Sequence, residues 1–119
     1  MRYTLALFVL LAFSACTKTC VEKEGEDNST TPACILAKIE NLKNQPKGNP
    51  AYSVYEYTYK GKKVYYFPAQ CCDQFSDLYD ANCNLLCHPD GGIGGGGNAA
   101  CTDFFSTRTD EVLIWKDNR

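Results

Sequence analysis

The chain has 119 residues, 12 basic and 14 acidic side chains, a formal net charge of -2 and 8 cysteines. This mildly acidic balance excludes the clustered basic face that nucleic-acid binding asks for and gives no polybasic attraction to an anionic membrane. Cysteine at this density reads as disulfides in an exported protein and as metal ligands or redox thiols in a cytosolic one.

The N-terminus points to export. Met1-Arg2, the apolar residues 5–13 and the small Ser14-Ala15 follow the order of a signal peptide's charged, apolar and cleavage regions, so residues 1–15 are expected to be removed. The apolar run is about half of the ~20 residues a membrane-spanning helix needs, so no spanning anchor is expected. Phe13-Ser14-Ala15-Cys16 resembles a lipobox. It makes Cys16 the lipidation site and the chain a palmitate-type bacterial lipoprotein whose membrane contact is the lipid alone. Thr17 in place of Asp after Cys16 favours the outer membrane. The alternative cut, after Ser14, leaves Ala15 as the N-terminus of a secreted or periplasmic protein.

Residues 16–31 are polar and acidic and read as a flexible tether; residues 32–119 form the domain. Thr31 is the expected N-cap and Pro32 the first residue of a helix over 32–44. Ile35, Leu36, Ile39 and Leu42 give that helix an apolar stripe, and Pro46, Gly48 and Pro50 end it. Residues 51–69 alternate as two strands about a Lys60-Gly61 turn. If Tyr59 and Lys62 flank the turn, Tyr57 faces Val64 and Tyr55 faces Tyr66 on one side. Val54, Phe67, Glu56 and Tyr65 then share the other. The first face is the more uniformly apolar and is expected under the helix. Its tyrosines also admit a recognition face for peptides or sugars.

A second, shorter hairpin is expected from Phe75 to Cys87 about Ala81-Asn82. A glycine loop over 89–98 and a last strand over 111–116 complete the chain. The expected fold class is α+β: one N-terminal helix packed on a small antiparallel sheet of about five strands in meander order, stapled by disulfides.

Several chemistries can be weighed on spacing. Cys83, Cys87 and His88 are one residue too far apart for haem attachment, and oxidation in the envelope competes with zinc for the thiols. His88, the lone histidine, reads as a surface residue beside Pro89. The glycine loop lacks the Lys-Ser/Thr that gives phosphate cradles their chemistry. Asp80, Asn82 and Asn84 alternate oxygens as calcium loops do, with Asp90 nearby. The sixth-position glycine and the closing acid are missing, and Asx-type turn capping is the competing explanation. No triad or nucleotide fingerprint is present. No cofactor is expected, and no enzymatic activity.

The residues Tyr65-Tyr66-Phe67-Pro68-Ala69-Gln70-Cys71-Cys72-Asp73, Leu78-Tyr79-Asp80, Cys87-His88-Pro89-Asp90-Gly91-Gly92-Ile93 and Ile114-Trp115-Lys116-Asp117 together resemble a family of small bacterial envelope lipoproteins. That family shares a domain of unknown function, and the resemblance covers roughly residues 34–119. It implies an envelope location and no reaction. Cys83 stands where the family pattern leads one to expect glycine in the turn after Asp80.

Lipidation of Cys16 leaves seven thiols, an odd number. Cys83, in a turn and outside the family pattern, is the expected free thiol. Cys20, Cys34, Cys71, Cys72, Cys87 and Cys101 are the disulfide candidates, with connectivity open. Cys71 and Cys72 are not expected to bond to each other, because neighbouring strand residues face opposite sides. The expected function is a non-catalytic, lipid-anchored interaction or structural module with a protein or glycan partner. The alternative is a secreted protease-inhibitor-like protein using the loop between Cys87 and Cys101.

Overall fold

In the computed structural model, which describes residues 31–71 and 73–119, Pro32 is the N-cap of helix α1 (Ala33–Lys43), with φ -56° and ψ 142°. Thr31 therefore lies one position outside the cap, and Pro32 one outside the first turn. The N–H groups of Ile35 and Leu36 donate to the Pro32 carbonyl at 2.9 and 3.1 Å, so the first turn closes without a side-chain cap. Ile35 and Ile39 are buried, Leu42 partly so, and Leu36 is exposed.

Strands β1 (Ser53–Tyr59) and β2 (Lys62–Phe67) form the first hairpin. Lys60 and Gly61 take φ of 49° and 74°, the pair of positive values a tight two-residue hairpin turn demands. The turn pairs Tyr59 with Lys62, and the expected register follows: Tyr57 faces Val64, Tyr55 faces Tyr66 and Glu56 faces Tyr65. Strands β3 (Asp77–Asp80) and β4 (Leu85–Cys87) form the second hairpin, which joins through β3 to β2. A four-residue helix, α2 (Phe104–Thr107), follows the glycine loop, and β5 (Thr109–Lys116) closes the chain. The fold is a small α+β domain with a five-stranded antiparallel sheet and disulfides.

Two features differ from the sequence expectation. The sheet runs β4-β3-β2-β1-β5, so β5 returns to the far edge and pairs with β1 instead of extending a meander beside β4. Helix α1 also covers the opposite face from the one expected. Ile35 and Ile39 pack on Val54 and Tyr65, with Leu42, Phe67, Ile114 and Trp115 around them. Tyr57, Tyr59, Val64, Tyr66 and Leu78 pack instead under Phe104 of α2.

Polar bookkeeping explains the choice. A buried tyrosine needs an acceptor for its hydroxyl. The segment after β4 brings Asp90, Asp103 and Glu111 to Tyr66, Tyr59 and Tyr57, whereas the inner stripe of α1 offers no acceptor. The helix-facing Tyr65 is instead served by Glu56, its neighbour on the same face, and Glu56 also holds Lys63 at 2.8 Å.

The helix is fastened at both ends. Cys34 in its first turn bonds to Cys83. Beyond its last turn, Arg119 Nη1 donates to the Lys43 and Gln45 carbonyls at 2.8 and 3.1 Å, while its Nε and Nη2 grip Asp117. The guanidinium holds the Asp117 carboxyl down at about 2. Among the described residues no helix is long and apolar enough to cross a membrane.

Candidate functional site

The cysteines pair differently from the expectation at one position. Cys83, expected as the free thiol, is bonded to Cys34 across 49 residues, with Cα atoms 6.2 Å apart. The reason lies in its backbone: Cys83 has φ 62°, a left-handed conformation that glycine adopts at no steric cost. The cysteine occupies this turn position, and its side chain packs on the helix face beside Cys34. Cys87 bonds to Cys101, with Cα atoms 6.1 Å apart, and Cys71 is disulfide-bonded. The expectations for the signal peptide, for lipidated Cys16, for Cys20 and for Cys72 fall outside the described residues.

The four calcium candidates do not converge. Asp80 Oδ1 accepts the N–H groups of Asn82 and Asn84, both at 2.9 Å, and Oδ2 accepts from Asn84 Nδ2 at 3.0 Å. These bonds, led by the Asn84 amide, lower the Asp80 carboxyl below its ordinary range. Asp90 is engaged elsewhere, taking the Tyr66 hydroxyl at 2.9 Å. This is turn capping by Asp80, and no group of three or more His, Cys, Asp or Glu is placed to hold a metal among the described residues. His88 is half-buried rather than a free surface residue: its ring stacks on Phe75 at 4.9 Å, and Nδ1 lies 2.9 Å from Asp77 Oδ1 and 3.0 Å from the Ser76 carbonyl.

The tyrosine face is core. Tyr57, Tyr59 and Tyr66 ring Phe104 at centroid distances of 5.6, 5.3 and 5.7 Å. Burial, then the bond to Asp90, pushes Tyr66 up to about 12, and burial with Asp77 does the same for Tyr79. Burial and then Glu111 raise Tyr57 above the ordinary phenol range. A peptide or sugar has no access to this layer.

What the fold leaves open includes the β4 edge of the sheet. The glycine loop is closed at its base by the Cys87–Cys101 bond and cross-tied within: Gly95 N–H donates to Gly92 O and Gly97 N–H to Gly91 O, both at 3.0 Å. Asn98 Oδ1 accepts the His88 and Ala100 N–H groups at 3.2 Å, bracing the two stems. A Cβ on Gly97 would lie 2.0 Å from the His88 carbonyl, so that glycine is required by close backbone approach. Ile93 stands at the loop tip, 94% exposed. Beside the loop is a cleft of about 340 Å³. Val64, Leu86 and the Cys87–Cys101 bond make its apolar floor, while Lys60, Lys62 and Asp80 stand around it. Its size falls in the lower range of small-ligand sites. Sequence reading placed the loop but not the cleft, because the cleft exists only once β2, β4 and the chain after the loop are brought together.

The fold and these features define a class: a small disulfide-stapled α+β domain whose Tyr57, Tyr59 and Tyr66 hydroxyls are satisfied by its own carboxylates. The chain belongs to the family described as a domain of unknown function (DUF6970), whose model matches residues 40–117, from the last turn of α1 to Asp117. Comparison with curated proteins and with solved structures gives no match.

Proposed function

We propose that the protein is a non-catalytic, lipid-anchored module of the bacterial envelope, tethered through Cys16, whose binding face is the β4 edge of the sheet, with the cleft and the glycine loop along it. The observation that supports it most is the division of labour among polar groups. Tyr57, Tyr59, Tyr66, Tyr79, Asp80 and Asp117 are each bonded within the fold, whereas Leu85, Leu86, Phe75 and Ile93 along this edge are exposed. Exposed apolar groups with a charged rim mark interaction surfaces, here for a protein or glycan. Two measurements test the reading. Intact mass of the mature chain, with and without reduction, is expected to show a diacyl or triacyl increment on Cys16; an unmodified chain starting at Ala15 removes the anchor. Amide NMR titration with envelope glycan fragments or envelope proteins is expected to move Lys62, Val64, Leu86 and Ala100 together; shifts scattered over the fold would remove the face.

One observation favours a second reading. The loop is covalently closed, internally hydrogen-bonded and tipped by the exposed Ile93, and rigidity of this kind is what gives an inhibitory loop its affinity. In that case a protease panel shows inhibition at micromolar protein that Ile93→Lys abolishes; absence of inhibition removes this reading.

A further inference from the structure

The strand β5 is an edge of the sheet and, at eight residues, is longer than the usual strand of about 5–6. Among the described residues its outer side makes no backbone hydrogen bond, and an unsatisfied strand edge is a template for another strand. Residues 109–113 are exposed throughout. Val112 lies opposite Glu56 on the helix face, and Leu113 lies opposite Tyr55 on the other. The two are 48% and 50% exposed, so the edge shows an unburied apolar side chain to each side of the sheet. A strand laid alongside would shield both. The two irregularities in the pairing of β5 with β1 fall on either side of these residues.

Charge selects the occupant. The strand reads Thr109-Asp110-Glu111-Val112-Leu113-Ile114-Trp115-Lys116, acidic at its start, basic at its end and apolar between. Glu111 is already occupied by the Tyr57 hydroxyl, which leaves Asp110 and Lys116 as the charges that can act outward. A second copy of β5 placed parallel would set Asp110 beside Asp110 and Lys116 beside Lys116. Placed antiparallel about a two-fold axis, it sets Asp110 of each copy beside Lys116 of the other. Such an isologous contact satisfies both copies at once.

We infer that β5 is a self-association edge: two copies of this chain pair their β5 strands antiparallel into one continuous ten-stranded sheet. The contact leaves the cleft and the glycine loop, beyond β2 and β4, uncovered, so it is independent of what those bind.

The test is the oligomeric state of the full chain, by sedimentation or native mass spectrometry at increasing protein concentration, in detergent where the lipid is present. The wild-type chain is expected to dimerise. Asp110→Lys and Lys116→Asp each put like charges against each other twice, and each is expected to weaken dimerisation about tenfold or more, since like-charge juxtaposition is strongly unfavourable. Mixed one to one, the two variants restore both attractions, and a mixed dimer within about threefold of wild-type affinity is expected by the same electrostatics. A variant that merely misfolds cannot be rescued in this way. A wild-type chain that stays monomeric overturns the inference, as do single variants that dimerise normally or a mixture that stays monomeric. A monomer whose Val112 and Leu113 amides are nevertheless protected from hydrogen exchange also overturns it, because another segment of the same chain then covers the edge.

Discussion

Replacing Phe104 by alanine is expected to cost this domain a large share of its stability. Phe104 has no exposed surface and is touched by four rings: Tyr59 at 5.3 Å, Tyr57 at 5.6 Å, Tyr66 at 5.7 Å and Phe105 at 5.1 Å. Truncating a buried Phe to Ala costs about 3–5 kcal/mol through lost transfer energy and the cavity left behind. The upper part of that range applies here, because edge-to-face contacts add to area burial and the surrounding tyrosines are held by their hydroxyls and cannot collapse inward. Domains of this size have about 5–15 kcal/mol in total, so the variant should melt roughly 15–30 °C below wild type. The assay is urea and thermal unfolding with the disulfides intact, followed by near-ultraviolet circular dichroism of the tyrosines. Phe104→Leu, which keeps most of the volume, is expected to lose about 1.5 kcal/mol or less. A loss below about 1.5 kcal/mol for the alanine variant would refute the claim that Phe104 is the centre of the second core layer.

The Cys34–Cys83 and Cys87–Cys101 disulfides should be unequal. Loop-entropy scaling gives about 4 kcal/mol for the bond that spans 49 residues and about 3 kcal/mol for the one that spans 14, so denaturant unfolding of the Cys34→Ser/Cys83→Ser double variant should show the larger loss. Alkali should unfold the domain through its tyrosines. Tyr65 and Tyr66 are raised to about 12 when folded against about 10 when unfolded. The folded state therefore keeps protons that the unfolded state releases. Stability is full below pH ~10 and is lost as pH climbs from there through ~12, at up to about 1.4 kcal/mol per pH unit for each group. Tyrosinate absorbance of Tyr65 and Tyr66, read as the difference from a Tyr65→Phe/Tyr66→Phe variant, should rise together with unfolding, and its appearance near pH ~10 with the fold intact would contradict this. In the loop, Gly97→Ala is expected to cost at least ~2 kcal/mol through its positive φ and the clash with His88 O. Gly94→Ala, which meets nothing within 4 Å, should fall within about 0.5 kcal/mol of wild type in the same unfolding assay.

Local signals carried the first hairpin completely. Lys60-Gly61 fixed the turn, alternation fixed the strands, and the pairing down to Tyr55 with Tyr66 followed. The side chosen by α1 was not local. Comparing Tyr57 and Val64 with Val54 and Tyr65 ranks faces by hydrophobicity, but the deciding quantity was the supply of acceptors for tyrosine hydroxyls, which comes from Asp90, Asp103 and Glu111 far along the chain. The return of β5 to β1 was equally invisible, since nothing in residues 109–116 names a partner. A turn position alone does not show that Cys83 has a partner; in the fold its side chain packs beside Cys34 on the helix face. The glycine loop is legible from residues 89–98, but its cross-ties depend on Asn98 and on backbone approaches that no spacing rule encodes. Short α2 carried no periodicity to read.

The double fastening of α1 has a mechanical consequence. A pull applied on the N-terminal side of the domain enters through Ala33 and meets Cys34 almost at once. There the load passes through a covalent bond to Cys83 and so into the turn between β3 and β4. The helix itself, packed on the sheet through Ile39 and Leu42 and held beyond its last turn by the Arg119 hydrogen bonds, is bypassed. A chain tugged by its leading end would thus transmit force to the sheet without peeling the helix from it, and reduction of that single bond would reroute the load along α1.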